Sequence, residues 1–340
     1  MNTNENDMKF KSTQWEISQF LEHVKRVNDV EDLCDIDSEY GYYLVQDTNG
    51  KIEKKYFKPF VSNISFIREE YDTYKMGWNY RAVASDRKMK INAKMFQNDA
   101  ENIIEVKIPS GVQVIEHETF SKCKNLSVVK FNEGLEEIKA SAFENTQLEE
   151  LYLPHTLKSI DDDAFNGCKK LEMINFAEGL NYIHNNAFSN TAVESLDLPQ
   201  SLFYIGKNAF EDCKNLRYLS MQYGLRTIEK GAFMGCEKLK AVVIPDSVSF
   251  LAHQVFSKCY GLKYVSLPKN LTTLPFAFEN CTNLQFVKLP LNIDGYRYGV
   301  FPKCENLIVD GNLPKDDDAF KKCQSVTFLN DILKQNDLSK

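Results

Sequence analysis

Phenylalanine returns along most of this chain at a nearly constant interval. It stands at Phe96, Phe120, Phe143, Phe165, Phe188, Phe210, Phe233, Phe256, Phe278 and Phe301, in steps of 22 to 24 residues. A period in that range marks a stacked repeat architecture. One such unit alone cannot bury its apolar side chains, whereas stacked units share a continuous core, so every unit needs its neighbours. A small residue precedes most of these phenylalanines: Ala142, Ala164, Ala187, Ala209, Ala232 and Ala277, with Val255 and Val300 as variants.

The rest of the unit repeats with them. Three residues after the Phe comes Cys123, Cys168, Cys213, Cys236, Cys259, Cys281 or Cys304, with Thr146 and Thr191 in two coils that are one residue shorter. Cys323 keeps the same offset from Phe320, and only Cys34 lies outside the pattern. An apolar L-x-x-V-x-L segment follows, often closed by proline, as in Leu148–Pro154, Leu239–Pro245, Leu262–Pro268 and Leu284–Pro290. Then comes L-x-x-I, at Leu135/Ile138, Leu157/Ile160, Leu180/Ile183, Leu202/Ile205 and Leu225/Ile228. The end of L-x-x-V-x-L alternates inward and outward as a strand does, and a proline just after it removes an N–H donor and ends the strand.

The unit C-x-x-L-x-x-V-x-L-P-x-x-L-x-x-I-x-x-x-A-F-x-x resembles the BspA-like (Treponema pallidum-type) leucine-rich repeats, over about two-thirds of the chain. The expected fold is a leucine-rich repeat solenoid. It is a right-handed stack of about ten 22–23-residue coils with one parallel β-sheet, plus a small N-terminal α+β cap or domain. Phe is expected to form an inward spine opposite the sheet. The resemblance implies a binding role, and BspA-like proteins are often cell-surface adhesins.

The cysteine ladder has a packing explanation. Free cysteine behaves as a small buried hydrophobe, and stacked side chains that point the same way suit packing better than bridging. Zinc needs clustered ligands such as C-x-x-C, which do not occur here. Buried free thiols are therefore expected, ahead of disulfides or metal, and no cofactor.

Residues 1–95 do not repeat and read as an N-terminal α+β cap or small domain, 96–329 as the solenoid, and 330–340 as a C-terminal cap or tail. Thr13-Gln14-Trp15-Glu16 has the form of a capping box and predicts a helix from about Gln14 to Val30. Gly41–Phe57 predicts two strands around a turn at Asn49-Gly50. The stretch from Phe60 to Tyr80 is rich in aromatics and reads as part of a cap on the first coil, with a second interaction module as the alternative. Val326–Leu329 predicts a closing strand and Ile332–Leu333 the start of a polar cap.

The third and fifth positions of L-x-x-V-x-L should face outward on the sheet, which in leucine-rich repeats is the usual ligand surface. The candidate partner-binding residues there are Tyr152, Met173, Asn175, Asp197, Tyr218, Ser220, Val243, Tyr264, Ser266, Phe286 and Lys288. Toward the N-terminus the same positions are charged, with Glu105, Lys107, Lys130 and Glu150. Exposed aromatics clustered on one face point to a contact patch, although strands favour Tyr, Phe and Val in any case.

No catalytic order emerges. His23, His117, His155, His184 and His253 fall in no Ser-His-Asp, H-E-x-x-H or G-x-S-x-G arrangement, and no P-loop or dinucleotide fingerprint occurs. Asp161–Asp163 and Asp316–Asp318 both precede Ala-Phe, in a turn expected to lead to a short helical segment whose N-terminus suits carboxylates. The Asn-x-Ser/Thr triplets at Asn63, Asn125, Asn270 and Asn280 read as chance. A net charge of −7 with mixed signs and no basic tract argues against nucleic acid. The N-terminus is polar and no run approaches the roughly 18 apolar residues of a membrane span. The expectation is thus a non-enzymatic, intracellular protein-binding scaffold. A cell-surface adhesin or glycan binder, and a structural component of a larger assembly, are the alternatives. The oligomeric state is left open.

Overall fold

In the computed structural model, residues 41–331 are described, apart from 62–63, 73–76, 85–87, 291, 294, 297–299, 302–303 and 314–316. The helix expected at Gln14–Val30 and the cap at Ile332–Leu333 lie outside the described residues.

The L-x-x-V-x-L segments become short strands with an inward centre and outward flanks, such as Glu150–Tyr152 around the buried Leu151 and Ala241–Val243 around the buried Val242, while Leu219 at the centre of Tyr218–Ser220 is half-buried. Equivalent strands pair in parallel from coil to coil, with Glu150↔Met173 and Tyr152↔Asn175 in one register and Ala241↔Tyr264↔Phe286 in another. The ladder of this first sheet is interrupted between Val128–Lys130 and Glu150–Tyr152, between Met173–Asn175 and Ser195–Asp197, and between Tyr218–Ser220 and Ala241–Val243. The first two interruptions fall at the shorter coils that carry Thr146 and Thr191.

The structure adds a second parallel sheet to the one expected. The L-x-x-I segments form two-residue strands, including Glu137–Ile138, Ser159–Ile160, Tyr182–Ile183, Tyr204–Ile205 and Thr227–Ile228. These join Met89–Ile91, Val112–Ile115, Phe250–Leu251 and Phe60–Val61 in a nine-stranded sheet. Once the first sheet fixes the coil spacing, any other extended stretch meets its copy at about the same 4.8 Å and pairs as well.

The third side of each coil holds the phenylalanines. From Phe143 to Phe320 successive rings lie 5.1–6.2 Å apart with planes within 11° of parallel, and all are buried. Backbone bonds run alongside: Phe143, Phe165, Phe188, Phe210 and Phe233 each donate to the residue before the next Phe at 2.8 Å.

The cysteines do more than fill space. The thiols of Cys168, Cys213, Cys236, Cys259 and Cys281 each donate to the carbonyl of a Phe one coil back, at 3.0–3.4 Å. Thr146 and Thr191 occupy the same slot and donate to Phe143 and Phe188 at 2.9 and 3.0 Å. Burial pushes the Cys123 and Cys281 thiols up to about 12 and those of Cys168 and Cys213 up to about 11. At the end of the ladder Cys304 donates to Cys323, which lowers the half-buried Cys323 thiol and raises that of Cys304.

One local expectation is corrected. Asp161–Asp163 does not open a helical segment; it lies in a turn, with Asp163 at φ 57° and Asp162 Oδ1 accepting from Asn185 N of the next coil at 2.8 Å. At the other run a single 3-10 turn, Asp318–Phe320, does form, and Asp317 accepts from Ala319 N at 2.8 Å.

Antiparallel strands close the N-terminal edges of both sheets. Gly41–Gln46 and Ile52–Phe57 form the expected hairpin; Asp47 Oδ1 accepts from Asn49 and Lys51, and Gly50 takes φ +82°. Gly41–Gln46 then pairs with Ile103–Lys107 of the first sheet. Phe60–Val61 pairs with Met89–Ile91 of the second. Tyr43 and Phe57 pack edge-on against Phe96, at 5.5 and 5.0 Å, and so begin the spine. At the far end Val326–Phe328 adds the last strand, and Phe328 meets Phe320 edge-on at 6.1 Å.

Candidate functional site

Because the centre of each first-sheet strand points inward, its two flanking residues project to the other side. The candidate residues divide along the stack. In the first coils the projecting charges are already matched: Lys130 Nζ lies 2.8 Å from Glu105, whose carboxylate also accepts from Tyr42 at 3.1 Å. Lys54 covers the Tyr42 ring at 4.2 Å.

In the middle coils Tyr152 is exposed and donates to Glu150 at 3.0 Å; burial and then the Glu150 carboxylate push its phenol up to about 12. Asn175, Asp197 and Ser220 are exposed, and Met173 is half-buried. Gln222 donates to both Asp197 and Ser220.

The apolar part follows. Tyr218 is 69% exposed and Val243 58%, on neighbouring strands. Tyr264 is exposed and lies flat against the half-buried Phe286, with ring centroids 5.0 Å apart and planes 4° from parallel. Ala241 pairs with Tyr264, and its small side chain stands between Tyr218 and Tyr264 in the third-position column. Ser266 is half-buried and Lys288 exposed. The face therefore gathers Tyr218, Val243, Tyr264 and Phe286 into one patch, while Tyr152, Met173, Asn175 and Asp197 lie on earlier coils.

Two features escaped the sequence reading. The second sheet carries its own exposed aromatics, Tyr182 and Phe250 (50%), with Phe203 (46%) just before the strand Tyr204–Ile205; Tyr182 lies near His184 and Phe203 at 6.0 and 6.3 Å. With L-x-x-I taken only as a step between strands, the residues before each Ile had no assigned side. The other is the residue just before each first-sheet strand, which is also exposed: Glu149, Glu172, Glu194, Arg217, Lys240 and Lys263.

Among the described residues no group of three or more His, Cys, Asp or Glu side chains could hold a metal ion, and no helix is long and apolar enough to cross a membrane.

These coils match a known family. The model for the BspA type leucine-rich repeat region matches residues 89–217 and 204–327, more than two-thirds of the chain. No curated protein matches it. Among solved structures, a leucine-rich cell surface protein from Faecalibacterium prausnitzii is 19% identical, with 91% of this chain and 98% of that one covered and a TM-score of 0.37. The pneumococcal vaccine antigen PcpA is 18% identical, with 82% and 96% covered and a TM-score of 0.43. The Treponema pallidum leucine-rich repeat protein is 24% identical, with 69% and 86% covered and a TM-score of 0.39. The repeated Phe, Cys and Leu ladders, the two parallel sheets and the family match together make this chain a member of the BspA-type leucine-rich repeat family.

Proposed function

We propose that the chain is a non-catalytic binding protein that holds a protein partner on the outward face of its first parallel sheet. The observation that carries this reading is the patch of Tyr218, Val243, Tyr264 and Phe286 on four successive coils. Large apolar side chains exposed together on a rigid sheet suit a contact surface, and tyrosine is a common anchor at the centre of interfaces. The partner spans the patch and reaches toward Tyr152, Met173, Asn175 and Asp197 on one side and Lys288 on the other. The thiols that could act as nucleophiles are mostly buried and held protonated, which fits a scaffold better than an enzyme. Those free thiols also suit a reducing, intracellular compartment. Accessibility of the protein to protease on intact cells would replace that location with the cell surface.

The test is affinity capture with mass spectrometry. Replacing Tyr218 and Tyr264 by Ala should remove the captured partner while the melting temperature hardly moves. Capture that is indifferent to both changes refutes the reading. Glycan binding is the second reading, favoured by the flat Tyr264–Phe286 ring pair, since sugar rings stack on such platforms. A glycan array on which Tyr264→Ala abolishes the signal would select it.

A further inference from the structure

The column just before the first-sheet strands reverses its charge halfway along the stack. Glu149, Glu172 and Glu194 occupy it in three coils, and Arg217, Lys240 and Lys263 in the next three, all exposed. They are stacked neighbours: Glu172 N donates to Glu149 O at 2.9 Å, Arg217 N to Glu194 O at 2.8 Å and Lys263 N to Lys240 O at 2.8 Å. Like charges side by side on adjacent strands repel. Elsewhere the surface relieves such charges locally, as in Lys130–Glu105, Lys214–Glu237 and Lys269–Asp246. Among the described residues none of these six joins an ion pair.

We propose that this face docks on the same face of a second copy of the chain, as a two-fold dimer with antiparallel stacks. The inference rests on the proposed binding role of the face and names its partner. A two-fold axis along the strand direction, between Ser195–Asp197 and Tyr218–Ser220, reverses the order of coils but leaves each column facing itself. Glu194 then meets Arg217 of the second copy, Glu172 meets Lys240 and Glu149 meets Lys263. Each pair occurs twice, as an isologous contact requires.

The neighbouring columns agree without having been used to place the axis. In the third position Tyr218 meets Ser195, Met173 meets Ala241 and Glu150 meets the Tyr264 hydroxyl. In the fifth position Tyr152 meets Ser266, Asn175 meets Val243 and Asp197 meets Ser220. Tyr218, Met173 and Tyr152 fall against the small Ser195, Ala241 and Ser266, and no like-charged pair arises in these three columns. One coil further out Lys130 would face Lys288, which bounds the contact. Through the same coils the Phe rings on the third side repeat at 5.1–5.4 Å, close to the spacing of about 4.8 Å for paired strands, so this part of the sheet bends little. Six coils offer a face about 25 Å long, which places the dimer near the lower limit of about 1,000 Å² for specific interfaces. It should therefore be weak and sensitive to salt.

Sedimentation equilibrium of the full chain, over a concentration series into the micromolar range and at low and high salt, tests the proposal. A monomer–dimer equilibrium weakened by salt is expected. Glu172→Lys and Lys240→Glu should each raise the dissociation constant by about tenfold or more, and the double exchange should restore it, because it swaps the two ends of one symmetric pair. Circular dichroism confirms that the variants stay folded. A monomer at every concentration, a dimer indifferent to both single changes, or a double variant that does not recover overturns the proposal. If the chain is monomeric while Tyr218→Ala with Tyr264→Ala still abolishes capture of another protein, self-docking fails and the binding face stands. If the exchange pattern appears and the tyrosine changes leave capture of other proteins untouched, the dimer stands and the second protein partner falls.

Discussion

The inner wall and the outer face of each coil obey opposite rules. Inside, Phe143, Phe165, Phe188, Phe210, Phe233 and Phe256 are the same residue in almost the same pose. The carbonyls of Phe143, Phe188, Phe210, Phe233 and Phe256 accept from Cys or Thr in one fixed slot. Outside, the third position runs through Glu150, Met173, Ser195, Tyr218, Ala241, Tyr264 and Phe286 with no rule of its own. A stacked core needs copies that fit one another at one spacing, whereas a solvated position has no such constraint. Stability is therefore written in what repeats, and the proposed recognition in what departs from the repeat.

The sharpest way to break this contrast is to cut the spine. Phe210→Ala removes a fully buried ring stacked on both sides, and should cost about 3–5 kcal/mol, read by denaturant unfolding. A loss below about 1 kcal/mol would mean that the rings do not carry the stack.

The thiol slot comes next. Cys236→Ala leaves a small void and removes the donor to the Phe210 carbonyl, and should cost about 1–2 kcal/mol by the same assay. Cys236→Thr should recover only the packing part of that loss, because Thr146 and Thr191 donate to the phenylalanine of their own coil and not to the one before it.

Alkaline pH probes the same slot as a group. The folded thiols lie above the ordinary value, at about 11 for Cys168 and Cys213 and about 12 for Cys123 and Cys281. Their contribution to stability is therefore full below the ordinary thiol value of about 9.0 and declines as pH rises from there through the folded values. The unfolding midpoint should fall over that window. Alkylation of the folded chain should label Cys323 first, since its thiol is lowered and half-buried.

The smallest stability effect belongs to the face. Tyr218→Ala should stay within about 0.5 kcal/mol of the parent, because the side chain is mostly exposed. A larger loss would move Tyr218 from recognition to structure.

Much of this was legible in the sequence, for a physical reason. A buried ladder must repeat, so Phe, Cys, Leu and Ile report their own burial through their spacing, and the ten phenylalanines at the repeat position, Phe96 through Phe301, lie in the core. Outward positions could be placed by alternation, which located Tyr218, Val243 and Tyr264. Alternation does not give the degree of exposure: Met173, Ser266 and Phe286 are only half-exposed, Phe286 under the Tyr264 ring of the preceding coil. The second sheet was illegible because two residues are too few to show a period, and its pairing comes from the coil spacing. The Asp161–Asp163 turn misled because carboxylates suit a helix start and an inter-coil bond to Asn185 equally well. The charge reversal from Glu194 to Arg217 was present in the letters, but it becomes a column only when stacking puts those residues next to each other.

The most direct measurement compares the two outward sheets. A photo-crosslinking amino acid is placed at position 218 on the first sheet or at position 203 beside the second, both exposed aromatics whose replacement leaves the core intact. The account predicts that a bound protein, a second copy included, is trapped from position 218 and not from 203. Trapping from 203 alone would contradict it, and would move the binding surface to the other side of the coil.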